Sequence, residues 1–248
     1  MALKTIRTGQ LAIATISWAR TMEEEQLLKQ SLQTLAGAGH PVYITDGGSD
    51  DAFIRHLQTI KNVSISRATE KGLVAQVKHS LQQAYHSKTK FIFYTEPDKA
   101  DFFLQLDDLF SSMDLKEDTG VVLASRSAAG LQSFPPFQVM TETTINNCCA
   151  EVMGHNIDYT YGPFIINRAI IPYLLHLPAN IGWGWRPYCF NIARRLGYKI
   201  DSFSNNYQCP PGQRIDNDSE RIYRIKQLHE NLQGLVLSTA EHSVDFVL

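Results

Sequence analysis

The first half of the chain alternates short apolar runs with amphipathic stretches. An apolar run at 11–16 is followed by Leu28, Leu32 and Leu35 at helical spacing, which predicts a strand and then a helix. The same alternation continues, and it predicts strands at 42–45, 63–65, 91–95 and 121–124 and helices at 73–85 and 102–113. Alternation of this kind predicts an α/β protein with a mainly parallel central sheet and helices on both faces.

The end of the chain predicts one more helix that packs on the sheet. Residues 216–232 show a helical period, and the side expected to face inward carries Ile222, Ile225, Leu228 and Leu232. With 44% apolar residues among 248, the chain can bury a substantial core. No repeat, low-complexity tract or flexible linker marks a boundary, so we expect a single domain over 1–248.

Charge and cysteine content narrow the function classes. The 23 basic and 25 acidic residues give a formal net charge of −2, which does not favour nucleic acid as a partner. Four cysteines without a CxxC pair and eight histidines without an HxxxH or HExxH pattern argue against zinc. No signal peptide and no run of ~20 apolar residues is evident. We therefore expect a cytoplasmic protein, and the sequence leaves open a peripheral membrane contact and the oligomeric state.

Two of the predicted strands end in acidic turns, where a parallel sheet collects its ligand-binding loops. The strand at 42–45 runs into DGGSD at 46–50. The glycines allow a ligand to approach the backbone, and the Asp46 carboxylate can accept hydrogen bonds from a base or a ribose. The structural alternative is a polar turn in which Ser49 or Asp50 caps the next helix.

The second acidic turn is Glu96-Pro97-Asp98, which follows the apolar strand at 91–95. Pro97 fixes its own φ and biases Glu96 away from helical geometry, so the two carboxylates are held on a stiff turn. Two hard oxygen donors suit a divalent cation such as Mg2+ or Mn2+, which can in turn hold a diphosphate. The structural alternative is that Asp98 or Asp101 caps the helix beginning near this point.

The order of these features resembles that of the GT-A glycosyltransferases, particularly polyprenyl-phosphate sugar transferases and glucosyl-3-phosphoglycerate synthases. The matching stretches are TDGGSDD at 45–51, EKGLVAQVKHSLQQAY at 70–85, FIFYTEPD at 91–98, YGPFIINRAIIPYL at 161–174 and GWGWRPYCFNIARRLGYKIDSF at 182–203. The resemblance covers roughly 11–208. It implies a GT-A fold whose residues at about 1–125 bind a nucleoside-diphosphate sugar and whose residues at about 126–248 bind the acceptor.

The resemblance also implies roles for individual residues of the donor half. Those expected to bind the nucleotide sugar are Asp46, Gly47, Arg67, Lys71, Glu96 and Asp98. Asp98 would be the main ligand of Mg2+ or Mn2+, with Glu96 and His229 as further candidates. Glu96 stands where the family usually has the first Asp of its D-x-D motif, which leaves metal dependence open.

The acceptor half carries the second group of candidates, Gly162, Trp183, Trp185 and Arg186. Trp183 and Trp185 flank a glycine, so extended geometry would place both rings on one side as a platform for a sugar. Two half-buried core rings are the alternative. Arg186 can pair with a carboxylate or a phosphate.

No acidic residue occurs at 182–187, where inverting members of the family commonly place the catalytic base. Glu142 and Asp158 are the nearest candidates for this role by region, although both also suit structural roles, and Arg186 completes the catalytic candidates. The resemblance does not decide between inversion and retention.

The sequence thus predicts a hexosyltransferase-like glycosyltransferase that uses a nucleoside-diphosphate sugar and a small or lipid-linked acceptor. The alternative is a non-catalytic nucleotide-sugar or carbohydrate-binding protein on the same fold. The missing carboxylate near Trp185 favours this alternative. A sugar-1-phosphate nucleotidyltransferase is disfavoured, because SWARTMEEE at 17–25 lacks the glycine-rich loop of those enzymes.

Overall fold

The computed structural model describes residues 10–240, and the parts of the expected domain at 1–9 and 241–248 lie outside the described residues. The strands are β1 (Leu11–Ser17), β2 (Val42–Asp46), β3 (Val63–Arg67), β4 (Phe91–Thr95), β5 (Thr119–Arg126), β6 (Phe164–Asn167) and β7 (Lys199–Asn205). They form a seven-stranded sheet in the order β3-β2-β1-β4-β6-β5-β7. The pairs β1–β2, β1–β4, β2–β3 and β5–β7 are parallel.

Helices flank this sheet. The α-helices are α1 (Met22–Gly37), α2 (Asp51–Gln58), α3 (Leu73–His86), α4 (Ala100–Phe103), α5 (Leu106–Ser112), α6 (Ala128–Gln132), α7 (Pro136–Met153), α8 (Ile171–Leu174), α9 (Trp185–Arg195) and α10 (Asp218–Thr239). Short 3-10 helices occur at Arg168–Ile170, Ala179–Gly184 and Pro211–Gln213. The predicted α/β class with a mainly parallel sheet is confirmed. Within residues 10–240, no helix combines the length and apolarity needed to cross a bilayer.

The chain divides into two compact units. The first extends to Glu117 and includes Ile165–Ile171, and the second comprises Asp118–Phe164 and the chain from Pro172 onwards. The different roles assigned to the two halves of the sequence stay predictions.

The first unit follows the predicted pattern closely. Leu28, Leu32 and Leu35 of α1 are buried, as their helical spacing indicated. Helix α1 begins after Thr21, whose hydroxyl accepts a hydrogen bond from the Glu24 amide, an N-cap that satisfies a free helix donor. The predicted helix at 102–113 is instead two short helices, α4 and α5.

The second unit corrects the prediction for the last helix. Ile222 and Ile225, expected to face inward, are 68% and 53% exposed, and Leu228 and Leu232 are only half-buried. The buried positions of α10 are Glu230, Gly234, Leu235 and Ser238.

Close approach of two backbones explains why α10 buries small and polar residues. A Cβ on Gly234 would lie 1.9 Å from the carbonyl oxygen of Gly184, so no larger residue fits at this contact. Further along, Asn191 of α9 donates its side-chain N–H to the Ser238 hydroxyl at 2.9 Å. A pattern search for large apolar residues cannot find a face that packs through glycine and serine.

Replacing Gly234 with alanine is expected to lower the free energy of unfolding by ~2 kcal/mol, because the new Cβ overlaps the Gly184 carbonyl. Urea unfolding followed by circular dichroism measures the change. Gly212→Ala is the control, since a Cβ there would meet no atom within 4 Å, and we expect a change below ~0.5 kcal/mol. Equal effects of the two variants would contradict the close contact.

Candidate functional site

The carboxyl ends of β1, β2 and β4 form the first candidate site. Parallel register pairs Ser17 with Asp46 and Thr15 with Thr95, so three neighbouring strands end at the same edge of the sheet. Loops at this edge are the usual ligand-binding positions in parallel α/β sheets. The structure therefore places both acidic turns, DGGSD and Glu96-Pro97-Asp98, at one edge of the first unit.

Asp46 is the organising residue of the first turn. It is 1% exposed, and its carboxylate accepts hydrogen bonds from Ser17 Oγ at 2.8 Å, Gly48 N at 2.8 Å, Ser49 N at 2.7 Å and Ser49 Oγ at 2.6 Å. These four bonds use the acceptor capacity of a carboxylate. Contact between Asp46 and a nucleoside stays a prediction, and it requires one of these bonds to be exchanged.

The remaining residues of the turn join it to its neighbours. Ser49 Oγ also accepts a hydrogen bond from the Ala19 amide at 2.8 Å, which ties the turn to the loop after β1. Asp50 caps α2 by accepting a hydrogen bond from the Phe53 amide at 2.7 Å, as the structural alternative for this residue predicted. A Cβ on Gly47 would lie 2.7 Å from the Gln76 side-chain nitrogen, so a larger residue there would require the Gln76 side chain to move.

Of the two predicted cationic contacts, Arg67 is the last residue of β3 and Lys71 follows that strand. Arg67 donates through Nη2 to the Ser49 carbonyl at 2.9 Å and to Asp51 at 2.8 Å. Its side chain is 50% exposed. A pocket of about 390 Å³ is lined by Asp51, Ile54, Arg55, Gln58, Ile65, Ser66 and Arg67. Lys71 is exposed in the segment that precedes α3.

Hydrogen bonds to the main chain hold the second acidic turn. Ser31 of α1 donates its hydroxyl to the Pro97 carbonyl at 2.6 Å, and Thr15 donates to the Thr95 carbonyl at 2.8 Å. The N-cap position of α4 belongs to Lys99. Neither Asp98 nor Asp101 occupies this position, and a cap bond from either side chain stays a prediction.

Glu96 and Asp98 have the carboxylate groups that bind a divalent cation, but two side chains are too few to complete its coordination. Carboxylate oxygens are the ligands that Mg2+ prefers. Among the described residues, however, no group of three or more His, Cys, Asp and Glu side chains is arranged to hold a metal. Oxygens of a bound ligand such as a diphosphate would have to complete the coordination. His229, the third predicted ligand, is an exposed residue of α10 in the second unit.

A buried ionic network in the second unit contains Glu142 and Asp158, the two predicted base candidates. Its centre is Arg126 at the end of β5, whose side chain is 1% exposed. Arg126 donates to Glu142 Oε2 and to Asp158 Oδ2, each at 2.6 Å, and to Thr160 Oγ1 at 2.8 Å. Gln138 donates to the other Glu142 oxygen at 2.7 Å.

The electrostatics of this network disfavour proton transfer by Asp158. Burial opposes the charged form of Asp158, but the charge and hydrogen bonds of Arg126, with those of Thr160, hold its pKa well below its usual range. Burial likewise opposes the charge of Arg126, and the two carboxylates outweigh it and raise the pKa. Protonating Asp158 would break its pair with Arg126, so the geometry favours a structural role. The sequence interpretation missed Arg126, although a charged residue ending an apolar strand was a visible signal.

The two tryptophans do not form the predicted pair of exposed rings. Their segment is helical rather than extended, because Gly182 turns the chain at φ 53 and α9 begins at Trp185. The Trp185 ring is 1% exposed and lies 5.5 Å from the Phe164 ring, as the alternative of a core residue predicted. Trp183 is partly exposed.

Two further acceptor candidates, Arg186 and Gly162, also lie in the second unit. Arg186 is 8% exposed and donates through Nη2 to the Tyr159 carbonyl at 3.3 Å. Gly162 has a φ of 133, a conformation that favours glycine. Their proposed contacts with an acceptor stay predictions.

An exposed aromatic residue beside the first turn was also missed. Trp18 follows β1 and is 51% exposed, with the Arg20 guanidinium 5.6 Å from its ring centre. A Cβ on Gly48 would lie 3.7 Å from the Trp18 indole nitrogen, so the indole lies next to Gly48 of the DGGSD turn. The segment carried no motif that would have marked it.

Comparison with solved structures identifies the class of fold, whereas no protein-family model and no curated protein matches the sequence. The fold is that of the GT-A nucleotide-sugar transferases. One similar structure is glucosyl-3-phosphoglycerate synthase from Mycobacterium tuberculosis in complex with UDP, with a TM-score of 0.63 and 13% identity over 92% of this chain and 79% of that chain.

Complexes with Mn2+ are among the similar structures. The same synthase with Mn2+, UDP and phosphoglyceric acid gives a TM-score of 0.61 at 11% identity, covering 94% of this chain and 78% of that chain. A mannosyltransferase from Pyrobaculum calidifontis with GDP-Man and Mn2+ gives 0.56 at 12% identity, covering 96% and 76%. At these identities the likeness shows the fold, and the predicted GT-A fold is confirmed.

Replacing Asp158 with asparagine is expected to lower the free energy of unfolding by ~3 kcal/mol at neutral pH, because Arg126 loses a buried partner. The pKa of Asp158 is lowered in the folded state, so its contribution is full above the ordinary carboxyl value of 3.8. The difference between wild type and variant should shrink as the pH falls below that value. Urea unfolding at several pH values measures it.

Asp118→Asn is the control for this experiment, since the ion pair between Asp118 and Lys199 is exposed. Its expected cost is below ~1 kcal/mol. A cost for Asp158→Asn that is equally small, or that grows in acid, would contradict the buried network.

Proposed function

We propose that the protein is a glycosyltransferase that moves a sugar from a nucleoside-diphosphate sugar to a small or lipid-linked acceptor. The observation that carries the proposal is the Glu96-Pro97-Asp98 turn at the carboxyl edge of a GT-A sheet. Neighbours with this fold were solved with UDP, GDP-Man and Mn2+. We also propose a cytoplasmic location, which the four free cysteines support.

In this proposal the first unit binds the donor. The DGGSD turn, fixed by Asp46, offers glycine backbone that a nucleoside can approach closely. Exposed Trp18 offers an aromatic face to the base, and Arg67 and Lys71 offer positive charge to the phosphates. The proposal gives Asp46 itself a positioning role as long as its four internal hydrogen bonds persist.

Glu96 and Asp98 would hold Mg2+ or Mn2+ together with diphosphate oxygens. When bound, the cation supplies positive charge opposite the leaving nucleoside diphosphate. The chain's own contribution is rigidity, because Ser31 and the β4 strand fix the turn before any ligand arrives. Rigid placement of charge is what lowers the cost of reorganisation during the reaction.

A thermal-shift panel of UDP-, GDP-, ADP- and dTDP-sugars with and without Mn2+ tests the donor site. A donor at a hundredfold its dissociation constant should stabilise the folded protein by ~2.7 kcal/mol. Asp98→Ala should remove the part of the shift that depends on Mn2+. Asp101→Ala, an exposed position in the first turn of α4, is the matched control and should retain it. If no nucleotide shifts the melting temperature, the donor site is refuted.

A non-catalytic binding protein is the second candidate, and one observation favours it. Glu142 and Asp158 are both paired with Arg126, and residues 182–187 contain no carboxylate. The usual position for an acidic base is therefore not filled, and another group must accept the proton if transfer occurs with inversion.

Donor hydrolysis distinguishes the two candidates. A transferase is expected to release nucleoside diphosphate slowly from its stabilising donor when Mn2+ is present, because water can replace the acceptor. The measurement is chromatography of the nucleotide after long incubation, with Asp98→Ala as the inactive reference. A donor that binds and survives intact would favour the binding protein.

A further inference from the structure

Helix α10 and the segment before α9 create a surface of aromatic and polar groups in the second unit. The Trp183 indole N–H donates to the Tyr223 hydroxyl at 3.0 Å, and the Trp183 backbone N–H donates to Glu230 at 2.9 Å. Tyr223 and Glu230 are seven residues apart, so they lie on the same side of the helix. We call the group formed by Trp183, Tyr223 and Gln227 the Trp183–Tyr223 surface.

The segment that carries Trp183 is held rigidly. A Cβ on Gly182 would lie 2.1 Å from the Glu230 side-chain carbon, and Glu230 is 9% exposed. Hydrogen bonds therefore hold Trp183 at its backbone N–H and at its indole N–H. A ring fixed before binding loses little conformational entropy when a ligand stacks on it.

The Tyr223 hydroxyl has one hydrogen-bonding direction left for a ligand. It accepts from the Trp183 indole and from the Gln227 amide at 3.2 Å, which uses its two acceptor positions. Its own proton remains to be donated. Burial of the phenol raises the pKa of Tyr223, and the carboxylates of Glu230 and Glu220 add to this. The hydroxyl accordingly stays protonated and able to donate at neutral pH.

The surface is accessible and suits the chemistry of a sugar. Tyr223 is 40% exposed, and Trp183 and Gln227 are partly exposed. A pyranose has an apolar face that packs on an aromatic ring, while its hydroxyls accept and donate at the rim. Trp183 provides an indole ring. Tyr223 and Gln227, one turn apart on α10, provide a phenol proton and a side-chain amide.

The charges around the surface are balanced, which disfavours an anionic ligand. Each arginine and lysine side chain at residues 218–230 of α10 has an acidic partner within 4 Å. The pairs are Arg221 with Asp216, Arg224 with Glu220, and Lys226 with Glu230. A phosphorylated acid would find no surplus of positive charge in this set, whereas a neutral ligand requires none.

We propose that the Trp183–Tyr223 surface binds a neutral saccharide. Saccharide binding can be tested without a donor, so the outcome is independent of the proposed function. The proposal replaces Trp185 by Tyr223 as the partner of Trp183. It also separates this protein from the synthase in complex with phosphoglyceric acid, whose bound acid is anionic.

Saturation-transfer NMR with methyl α-glucopyranoside and methyl α-mannopyranoside tests the surface on the full chain. At least one glycoside should bind, and Trp183→Ala should abolish the signal. Tyr223→Phe retains the ring and should weaken binding by about three- to tenfold through the lost hydroxyl. Tyr173→Phe, a partly exposed tyrosine of α8, is the matched control and should bind like wild type. Phosphoglycerate should not compete.

Three results would overturn the inference. These are no binding of either glycoside, unchanged binding by both Trp183→Ala and Tyr223→Phe, and competition by phosphoglycerate. Nucleotide thermal shifts on the same samples separate this inference from the proposed function. Shifts without glycoside binding refute the surface alone, and glycoside binding without shifts refutes the transferase and leaves a carbohydrate-binding protein.

Discussion

The parallel register of β1, β2 and β4 is the constraint on which the proposed donor site depends. It pairs Ser17 with Asp46, and this pairing lets the Ser17 hydroxyl reach the Asp46 carboxylate at 2.8 Å. It also ends β4 at the same edge, so the turn carrying Asp98 begins beside its neighbours. A register shift of one residue in β2 would turn Asp46 to the other face of the sheet and break its hydrogen bonds.

In the second unit, the buried acidic side chains form ion pairs and hydrogen bonds that stabilise the structure. Arg126 neutralises two carboxylates that could otherwise have served as bases, and Glu230 holds the segment at 182–184 through the Trp183 amide. The buried acids of this unit therefore hold Arg126 and the segment at 182–184 in position. If the protein transfers sugar, we expect its chemistry to rely chiefly on the proposed donor site and on a proton acceptor other than these paired groups.

The fold was largely predictable because strands and helices of the first unit bury large apolar residues at regular spacing. The two acidic turns were predictable as well, since each directly follows such a strand. The contacts of the second unit were not, because α10 packs through Gly234 and Ser238, which hydropathy does not mark. The partner of Trp183 proved to be Tyr223, forty residues away in the chain, and a pairing at that distance leaves no local signal.

Transfer itself is the most direct test of the account. The protein is incubated with Mn2+, the donor that shifts its melting temperature and each methyl glycoside in turn. Mass spectrometry then measures the mass of the glycoside. The account predicts that wild type adds one sugar residue and that Asp98→Ala does not. A wild-type protein that binds both ligands and yields neither elongated glycoside nor released nucleoside diphosphate would contradict it.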